Sequence, residues 1–365
     1  MNHLKIKRVT AAILLSALYI SASFAQTSSN DGLDFNLLKG GISDGKKIVS
    51  AYVSPWTTAF AASLNSGWYN TAKPHKLGGF DITATVSVAL VPASATSFDL
   101  KRIGLDQVRP ANASASTIAP TIAGSKNEGP DMVLQQVVNG TNVTVASFRT
   151  PKGTGFNFMG APMAQIGIGL PLGTEIKLRY LPDIKIGTHG DISLIGAGIM
   201  HSIIQYFPGH KLLPFDLSVF AGYTKLQLNV PVSMQPDNYN NFSTYTASSF
   251  TDQKISTTVQ AFNANIIGSV KLAIFTFYGG VGYIKTNTKV DFKGKYPFPG
   301  VNSSTAQVEY TDSNVKTVGS MDLKGFSGMR ANIGFTIKLA VVTLNADVSR
   351  AQYNTATVGL GFSFR

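Results

Sequence analysis

The chain has 365 residues and a formal net charge of +12, yet only 14% of its residues are charged. Ordinary soluble domains carry roughly 25% charged residues, so this composition, with 35 glycines and 10% aromatic residues, is typical of a protein whose outside faces lipid. The absence of cysteine excludes a disulfide scaffold, a thiolate metal site and a lipoprotein anchor. The basic residues form no long run, so we predict no nucleic-acid partner.

Residues 1–25 are predicted to be a secretory signal peptide. Basic residues within positions 5–8 precede an apolar run over residues 11–20, and small residues lead up to Ala25. A basic start, a short apolar core and an A-x-A-like exit are the parts of such a signal. A membrane anchor is the alternative, but it needs roughly 18 apolar residues. We therefore expect cleavage before Gln26 and export to a Gram-negative periplasm or outer membrane.

Residues 26–50 differ from the rest of the exported chain. Residues 43–49 are predicted to form a short helix, because Ser43 is a suitable N-cap before an apolar pattern. Such a segment could plug the lumen of a barrel or lie at its periplasmic mouth. An ordered linker without function is the alternative.

The dominant pattern from residue 51 to residue 365 is an alternation of apolar and polar side chains. Alternation gives a strand one apolar and one polar face. Soluble sandwiches share it, but these segments are often nine or more residues long, enough to cross a bilayer at a tilt, with aromatic residues near their ends. We predict an all-β transmembrane antiparallel β-barrel of about 14 strands; a soluble periplasmic β-domain is the alternative. The clearest segments are residues 81–89, 174–181, 225–230, 333–339, 342–349 and 357–364.

The predicted connections have two lengths. Long polar stretches occur near residues 92–153, 231–254 and 293–324, whereas residues 338–341 form a very short connection. Membrane barrels have long loops outside and short turns on the periplasmic side. The long stretches are therefore predicted to be extracellular loops.

The polar faces of the predicted strands identify candidate lumen residues. In residues 213–230 the alternation changes phase, and a β-bulge around Tyr223 and Thr224 would restore it. A strand that leaves the membrane at that point is the alternative. Charges in a lumen either bias solute selectivity or close the lumen by pairing with one another, and both alternatives stay open. The predicted lumen-lining residues are Glu175, Lys177, Arg179, Lys225, Gln227, Lys338, Asn345 and Asp347.

The sequence contains no convincing catalytic or metal site. Neighbouring residues of a strand point to opposite faces, so a serine beside a histidine does not form a nucleophile–base pair. We expect His201 and Gln205 to hydrogen-bond neighbouring backbone within a polar turn. The remaining histidines have no carboxylate at ligand spacing. We predict no enzyme activity, catalytic residue, metal or cofactor; the pairs and histidines considered are His201 with Ser202, His189 with Ser193, His75 and His210.

The C-terminal strand ends in alternating aromatic residues, Phe362 and Phe364. Substrates of the outer-membrane insertion machinery commonly end in such a strand, although Arg365 departs from a strictly aromatic last residue. We predict that both phenylalanines form the insertion signal. The expected partners are the barrel-assembly machinery and outer-membrane lipid or lipopolysaccharide.

Several motifs resemble a family of unknown function from Bacteroidota, in which residues 67–76 and 79–82 would form the first barrel strands. That family distantly resembles FadL-like outer-membrane channels for fatty acids and aromatic hydrocarbons, which pair a barrel with an N-terminal plug. The resemblance implies a channel or transporter for small solutes, including a hydrophobic ligand. The alternative is a non-conducting structural or adhesion barrel that acts through its extracellular loops. The motifs are GWYNTAKPHK (67–76), GFDI (79–82), PKGTG (151–155), PLGTE (171–175), RYLP (179–182) and GIMHSIIQYFP (198–208).

Overall fold

Ten long antiparallel strands form a closed barrel in the computed structural model, which describes residues 38, 40–185 and 190–364. Each strand pairs with its neighbours in the chain, and the last strand pairs with the first. The predicted signal peptide and its cleavage site lie outside the described residues. The strands are β1 (Phe80–Leu90), β2 (Phe158–Leu170), β3 (Thr174–Lys185), β4 (Asp191–Ser202), β5 (Phe215–Pro231), β6 (Lys254–Leu272), β7 (Phe275–Lys293), β8 (Ser327–Leu339), β9 (Val342–Arg350) and β10 (Asn354–Phe364).

The predicted strand number of about 14 is wrong. The short strands of the long loops form small sheets of their own, and among those in the described residues only Gly319–Leu323 pairs with a wall strand, at the end of β7. The segment Asp131–Val138, for example, pairs with Thr141–Arg149 and not with a barrel strand. The other short strands are Ser97–Asp99, Val108–Pro110, Ile118–Pro120, Tyr296–Pro297, Gly300–Val301, Val308–Glu309 and Val315–Lys316.

The barrel wall is polar inside and apolar outside. In β3 the side chains of Glu175, Lys177 and Arg179 are buried, whereas Leu178 and Tyr180 between and beyond them are exposed. Water-soluble proteins bury most large apolar side chains and rarely expose them as one continuous band. The predicted all-β antiparallel barrel is therefore confirmed, and its outward apolar band is typical of a surface that faces lipid. The same outward-facing band includes Ile82, Ile195, Ile266, Val281, Ile333, Leu344, Val348 and Val358.

The predicted bulge in β5 is absent. The strand pairs with β6 in unbroken register from Phe215 to Pro231. Because the parity never changes, Leu226 points into the lumen and is buried, while Lys225 and Gln227 point outwards. These two polar residues do not line the lumen as predicted. The irregularity of this part of the wall lies on β3, where the register shifts between residues 181 and 184.

The connections alternate between two ends of the barrel. At one end, the connections over residues 91–157, 232–253 and 294–326 pack together into a cap. At the other end, the turn end, residues 171–173, 273–274 and 340–341 are tight turns. The three long connections thus lie at the same end of the barrel. The cap has a hydrophobic core of its own, which includes Leu100, Val108, Met132, Leu134, Phe148, Phe292, Tyr296 and Phe298.

A single α-helix in the described chain, α1 (Ile42–Leu64), leads from the cap into the barrel. The predicted helix over residues 43–49 is its first part, but α1 has 23 residues and continues into the region assigned to the barrel. Gly41 occupies the N-cap position and makes no side-chain cap bond, so Ser43 is not the cap. No helix of the described residues is long and apolar enough to cross a membrane.

Candidate functional site

The segment from Ile42 to Gly79, here called the plug, runs through the barrel from the cap end to the turn end. Near the cap end, the Ser63 hydroxyl donates to the carbonyl of Met159 on β2 at 3.3 Å. Near the turn end, the Gly78 amide donates to the Gly169 carbonyl at 3.3 Å. Residues 67–76, which the resemblance assigned to the first barrel strands, therefore lie inside the lumen. Of the residues in these two motifs (67–76 and 79–82), only residues 80–82 belong to β1.

The upper lumen wall is apolar where α1 enters it. Leu64 is fully buried against side chains of the inner wall. A helix satisfies its own backbone hydrogen bonds, so it needs only apolar contacts from its surroundings. This explains why leucine, valine and methionine point into the barrel at this level. The cluster comprises Ala61, Leu64, Ala161, Met163, Leu194, Leu226, Val259 and Ala261.

The lower lumen wall provides polar side chains where the plug is no longer helical, next to an apolar cluster of Met200, Phe220 and Ile267 that packs against Trp68 and Tyr69. Buried backbone carbonyls need hydrogen-bond partners, and here wall side chains provide them. The donors lie on five different strands, so the irregular part of the plug is held from all sides. The bonds are Arg179 Nη1 to Leu64 O (2.8 Å), Arg179 Nη2 to Ser66 O (2.8 Å), Asn263 Nδ2 to Asn65 O (2.9 Å), Gln165 Nε2 to Trp68 O (3.1 Å), Thr336 Oγ1 to Asn70 O (2.7 Å) and Ser218 Oγ to Ala72 O (2.5 Å).

Arg179 is the central contact of the filled lumen. Besides its two bonds to plug carbonyls, its guanidinium carbon lies 3.7 Å from the ring centroid of Trp68. Its Nε donates to Gln165 Oε1 at 3.0 Å. A guanidinium over an aromatic face gains further electrostatic stabilisation. Arg179 faces the lumen, as predicted, but it binds the plug.

A second polar cluster surrounds Tyr69 of the plug. Its hydroxyl donates to Asn332 Oδ1 at 2.7 Å. Arg330 Nη1 lies 3.4 Å from the same hydroxyl, and Tyr278 donates to Asp347 Oδ2 at 3.3 Å. Asp347 thus lies in the lumen, as its parity predicts.

The turn end contains a charged cluster that sequence reasoning missed. His75 Nδ1 of the plug lies 3.0 Å from Glu175 Oε2 and 3.7 Å from Asp81 Oδ1. Lys177 forms an ion pair with Glu175, and its Nζ is 3.9 Å from Asp81 Oδ1. His75 and Glu175 are 100 positions apart, so no local spacing could reveal their pairing.

The ligand atoms of His75, Asp81 and Glu175 lie within 4.8 Å of one another, so this set could hold a cation. Lys177 competes with that function, because its ammonium group already balances one of the two carboxylates. The cluster as it stands joins the end of the plug to β1 and β3. His75 Nε2 also lies 3.1 Å from Ser363 Oγ on β10.

The remaining predicted residues have distinct positions. Lys338 faces the lumen at the turn end and donates to Ser363 Oγ at 2.8 Å. Asn345 is buried on the inner face of β9. Phe362 and Phe364 face outwards, and Phe364 stacks on Phe80 with 5.0 Å between ring centroids.

The predicted polar turn after β4 is present. Gln205 Nε2 donates to the carbonyls of Leu172 and Ser202 at 2.9 and 2.7 Å, and His201 Nδ1 lies 2.8 Å from Thr174 Oγ1. Gln205 thus bonds backbone as predicted, but the prediction for His201 is wrong, because its ring contacts the side chains of Thr174 and Tyr206 and not the backbone. His189, considered with Ser193, lies outside the described residues.

Some buried polar atoms of the inner wall have no hydrogen-bond partner among the described protein atoms. They occur on several strands and all lie on the polar, inward faces. Buried polar atoms without protein partners are common sites of bound water. The group includes Thr85 Oγ1, Thr224 Oγ1, the side-chain amide of Asn265, Thr343 Oγ1 and Asn345 Oδ1.

Comparison with protein families matches residues 4–364 to a family of unknown function, DUF6588. The chain belongs to this family. No curated protein matches the DUF6588 chain significantly.

The barrel fold resembles that of outer-membrane proteins. The translocator domain of the autotransporter NalP from Neisseria meningitidis is 10% identical, with 88% of this chain and 97% of that chain covered and a TM-score of 0.29. The attachment invasion locus protein Ail of Yersinia pestis is 7% identical (79% and 99% covered, TM-score 0.23). The toluene transporter TbuX of Ralstonia pickettii is 7% identical (79% and 90% covered, TM-score 0.22). At these scores the likeness indicates no substrate or role.

Proposed function

We propose that this DUF6588 protein is a barrel of the Gram-negative outer membrane that is closed at rest by its plug and acts at the cell surface through its cap. The continuous outward band of apolar side chains supports insertion in a bilayer. The cap supports a surface role, because barrels of this kind carry their long loops on the extracellular side. This is the non-conducting alternative that the sequence left open.

Closure rests on one observation, the set of wall side chains bonded to plug carbonyls. A water-filled channel would leave such donors to solvent and solute. Here Arg179, Gln165 and Thr336 are already bound to the plug backbone. At roughly 1 kcal/mol for each hydrogen bond, simultaneous loss of these contacts costs several kcal/mol, so we expect an open form in well under about 1% of molecules.

Conductance measurements test this proposal. The purified protein, inserted into a planar lipid bilayer, should show no steady current. A variant that lacks residues 42–72 is the positive control for insertion and for an open barrel, and folding is checked by a heat-induced shift in electrophoretic migration. Should that variant fail to fold, Trp68→Ala provides the control. Steady conductance of the unaltered protein would refute closure at rest.

A second candidate function is passage of small solutes, including hydrophobic ones, when the plug moves. The unpartnered polar atoms of the lumen, such as Thr224 Oγ1 and Asn345 Oδ1, favour it, because they offer hydration sites along the wall. This candidate predicts that the closed protein begins to conduct when a solute is added. Liposome swelling with sugars and with monoaromatic solutes would identify such a solute.

The expected partners follow from the same placement. Lipid or lipopolysaccharide would contact the outward band, and the assembly machinery would read the last strand through Phe362 and Phe364. We propose no enzymatic role and no cofactor for this barrel.

A further inference from the structure

We infer that one sector of the outer wall, formed by β5, β6 and β7, binds the phosphate-bearing headgroup of a lipopolysaccharide molecule between Lys225 and Lys285. The inference rests on the proposed membrane insertion and deepens it, because it names the place on the wall where the lipid is recognised. It concerns the outer surface of the barrel and does not depend on whether the lumen conducts.

Both lysines point outwards and follow an exposed tyrosine. The residues on either side of each lysine are buried in the barrel, so the lysine itself lies on the outer face. Lys225 comes two residues after Tyr223 on β5, and Lys285 comes two residues after Tyr283 on β7. The tyrosines are 42% and 45% exposed. From the turn end to the cap end, each strand thus presents an aromatic ring and then an ammonium group.

The lysines lie at the level where the apolar part of the wall ends. Phe275 is exposed at the turn end of β7, ten residues before Lys285, and Phe215 lies ten residues before Lys225 on β5. Ten residues at a tilt of about 40° span about 26 Å, close to the apolar band of roughly 25 Å in membrane barrels. Aromatic rings mark the membrane interface, so the ammonium groups lie at the level of the lipid headgroups.

Neither ammonium group has an acidic partner within the described part of the chain. Unlike charges on neighbouring strands stabilise a sheet when they lie opposite each other, but no carboxylate is placed opposite these lysines. Lys289, farther along β7, is different, because its Nζ lies 3.3 Å from Asp291 Oδ1. The register partners are Ile195 and Gln260 for Lys225, and Phe262 and Ser327 for Lys285.

The two lysines lie on either side of β6. From the spacing of strands and residues in a sheet, their Cα atoms are about 12 Å apart, and flexible four-carbon stems let both ammonium groups reach a group centred over β6. Gln260 of β6 and its register partner Asn287 of β7 lie at this level. Their amides suit phosphate oxygens and sugar hydroxyls. Nearer the turn end, Phe262 is 41% exposed and offers an apolar surface to acyl chains.

This basic sector occupies one side of the barrel. The outward faces of β1, β2, β8 and β10, strands that the structure describes completely, carry no charged side chain. On β9 the outward face carries one cation, Arg350. A general attraction to an anionic membrane would not require this concentration on three neighbouring strands, so the arrangement favours a discrete site.

The chemistry of the sector identifies the occupant. Lysine binds phosphate as a point charge, the two amides suit a sugar, and the aromatic rings suit acyl chains at the membrane interface. A lipid with phosphates on a sugar headgroup combines these three features. Lipopolysaccharide is that lipid in the outer leaflet of the outer membrane, which is the leaflet that the proposed orientation places at the cap end.

Titration of the purified full-length protein in a neutral detergent, with a rough lipopolysaccharide fluorescently labelled on its core sugars, tests the site. The variant Lys225→Gln with Lys285→Gln removes both charges and keeps polar side chains. Lys254→Gln with Lys293→Gln is the matched control, because these exposed lysines are register partners on β6 and β7, eight residues beyond Lys285. Folding of both variants is checked by the heat-induced shift in electrophoretic migration.

We expect the Lys225→Gln, Lys285→Gln variant to bind about 20-fold more weakly, since one lysine near an anionic lipid surface contributes roughly fivefold. The control variant should stay within about twofold of the unaltered protein. Lipopolysaccharide without its phosphates should bind the unaltered protein as weakly as it binds the first variant. Equal binding by the first variant and the unaltered protein would overturn the inference, and so would equally tight, lysine-dependent binding of phosphatidylglycerol.

Failure of the proposed function gives a different result, because titration in detergent does not depend on orientation in the cell. Asn241→Cys in the cap and Leu212→Cys at the turn end, both exposed, report orientation through a membrane-impermeant maleimide applied to intact cells. Labelling of Leu212→Cys alone would refute the surface role, while a lysine-dependent titration would still support the phosphate site. Labelling of Asn241→Cys alone, together with a titration that is insensitive to both lysines, would refute the site and leave the surface role intact.

Discussion

The Asp44 carboxylate at the start of the plug offers a sharp test of how the plug is anchored. It is buried and accepts hydrogen bonds from the backbone amides of Asp106, Gln107 and Val108 at 2.8–3.0 Å. Lys47 Nζ lies 3.5 Å away. Replacement of Asp44 by alanine leaves three amide donors without an acceptor, and each unsatisfied buried donor costs roughly 1–3 kcal/mol.

Three unsatisfied donors at the low end of that range give an expected loss of about 3 kcal/mol in the local free energy of opening for Asp44→Ala. Asp44→Asn keeps an acceptor oxygen but loses the charge, and charge-assisted hydrogen bonds are roughly twice as strong as neutral ones. We expect a loss of about 1 kcal/mol for this variant.

Amide hydrogen exchange of residues 106–108 measures both losses directly, since a tenfold change in the opening equilibrium corresponds to about 1.4 kcal/mol. Exchange of these amides should be about 100-fold faster in Asp44→Ala and roughly fivefold faster in Asp44→Asn. Asp312→Asn is the matched control, because Asp312 bonds Ser243 and Thr244 in a different cap loop. Unchanged exchange in Asp44→Ala would refute an anchoring role for this carboxylate.

The pH dependence of the anchor has a defined sign. Burial alone raises the pKa of Asp44, but the three backbone donors and Lys47 outweigh it and hold the pKa below its ordinary value of 3.8. A carboxylate with a lowered pKa in the folded state stabilises above its unfolded pKa and loses that effect as the pH falls through its folded pKa. The exchange difference between wild type and Asp44→Asn should therefore be full near neutral pH and disappear in acid, as the pH falls through the lowered pKa of Asp44.

Three further predictions follow from the lumen. Arg179→Met leaves the carbonyls of Leu64 and Ser66 unsatisfied, at a cost of about 3 kcal/mol. The temperature of the heat-induced shift in electrophoretic migration should therefore fall by several degrees. Arg350→Met on the outer wall is the control, and an equal effect of both variants would contradict the central role of Arg179. Glu175→Gln weakens the contact with His75 and should speed tryptic cleavage after Lys76, whereas Glu128→Gln in the cap should not; equal cleavage rates in Glu175→Gln and wild type would argue against the contact. Lys225→Cys should react in membranes with a lipid-soluble maleimide and Lys177→Cys should not, and the reverse result would mean that β5 has the predicted bulge.

Alternation was sufficient to predict which residues of β3, β9 and β10 face inwards. Glu175, Arg179 and Asp347 lie on the inner side because β3 keeps one parity over residues 174–181 and β9 keeps one parity over its whole length. Strand number was not predictable in this way, because the hairpin over residues 131–149 has the same local pattern as a barrel strand. Its place in the cap is decided by distant packing partners such as Phe292.

The prediction of which β5 side chains face the lumen was wrong because of what the lumen contains. The rule that polar side chains face the lumen assumes that the lumen contains water. At the cap end the lumen contains α1, so Leu226 and Leu228 point inwards and pack near Leu64. The polar partners in sequence, Lys225 and Gln227, are then on the outer face. The change of phase in the alternation of β5 is thus explained by the helix α1 that fills the cap end of the barrel, and not by an irregularity of the strand.

The side chains of the inner wall therefore correspond to the backbone conformation of the plug at each level. Where the plug is helical, its carbonyls are satisfied internally, and the wall is built from leucine, valine and methionine. Where the plug unwinds after Leu64, its carbonyls need external donors, and the wall changes to Arg179, Asn263 and Thr336. A wall selected mainly for contact with water would have no reason to change at this level. The match between wall and plug supports the proposal that the closed form is the resting state.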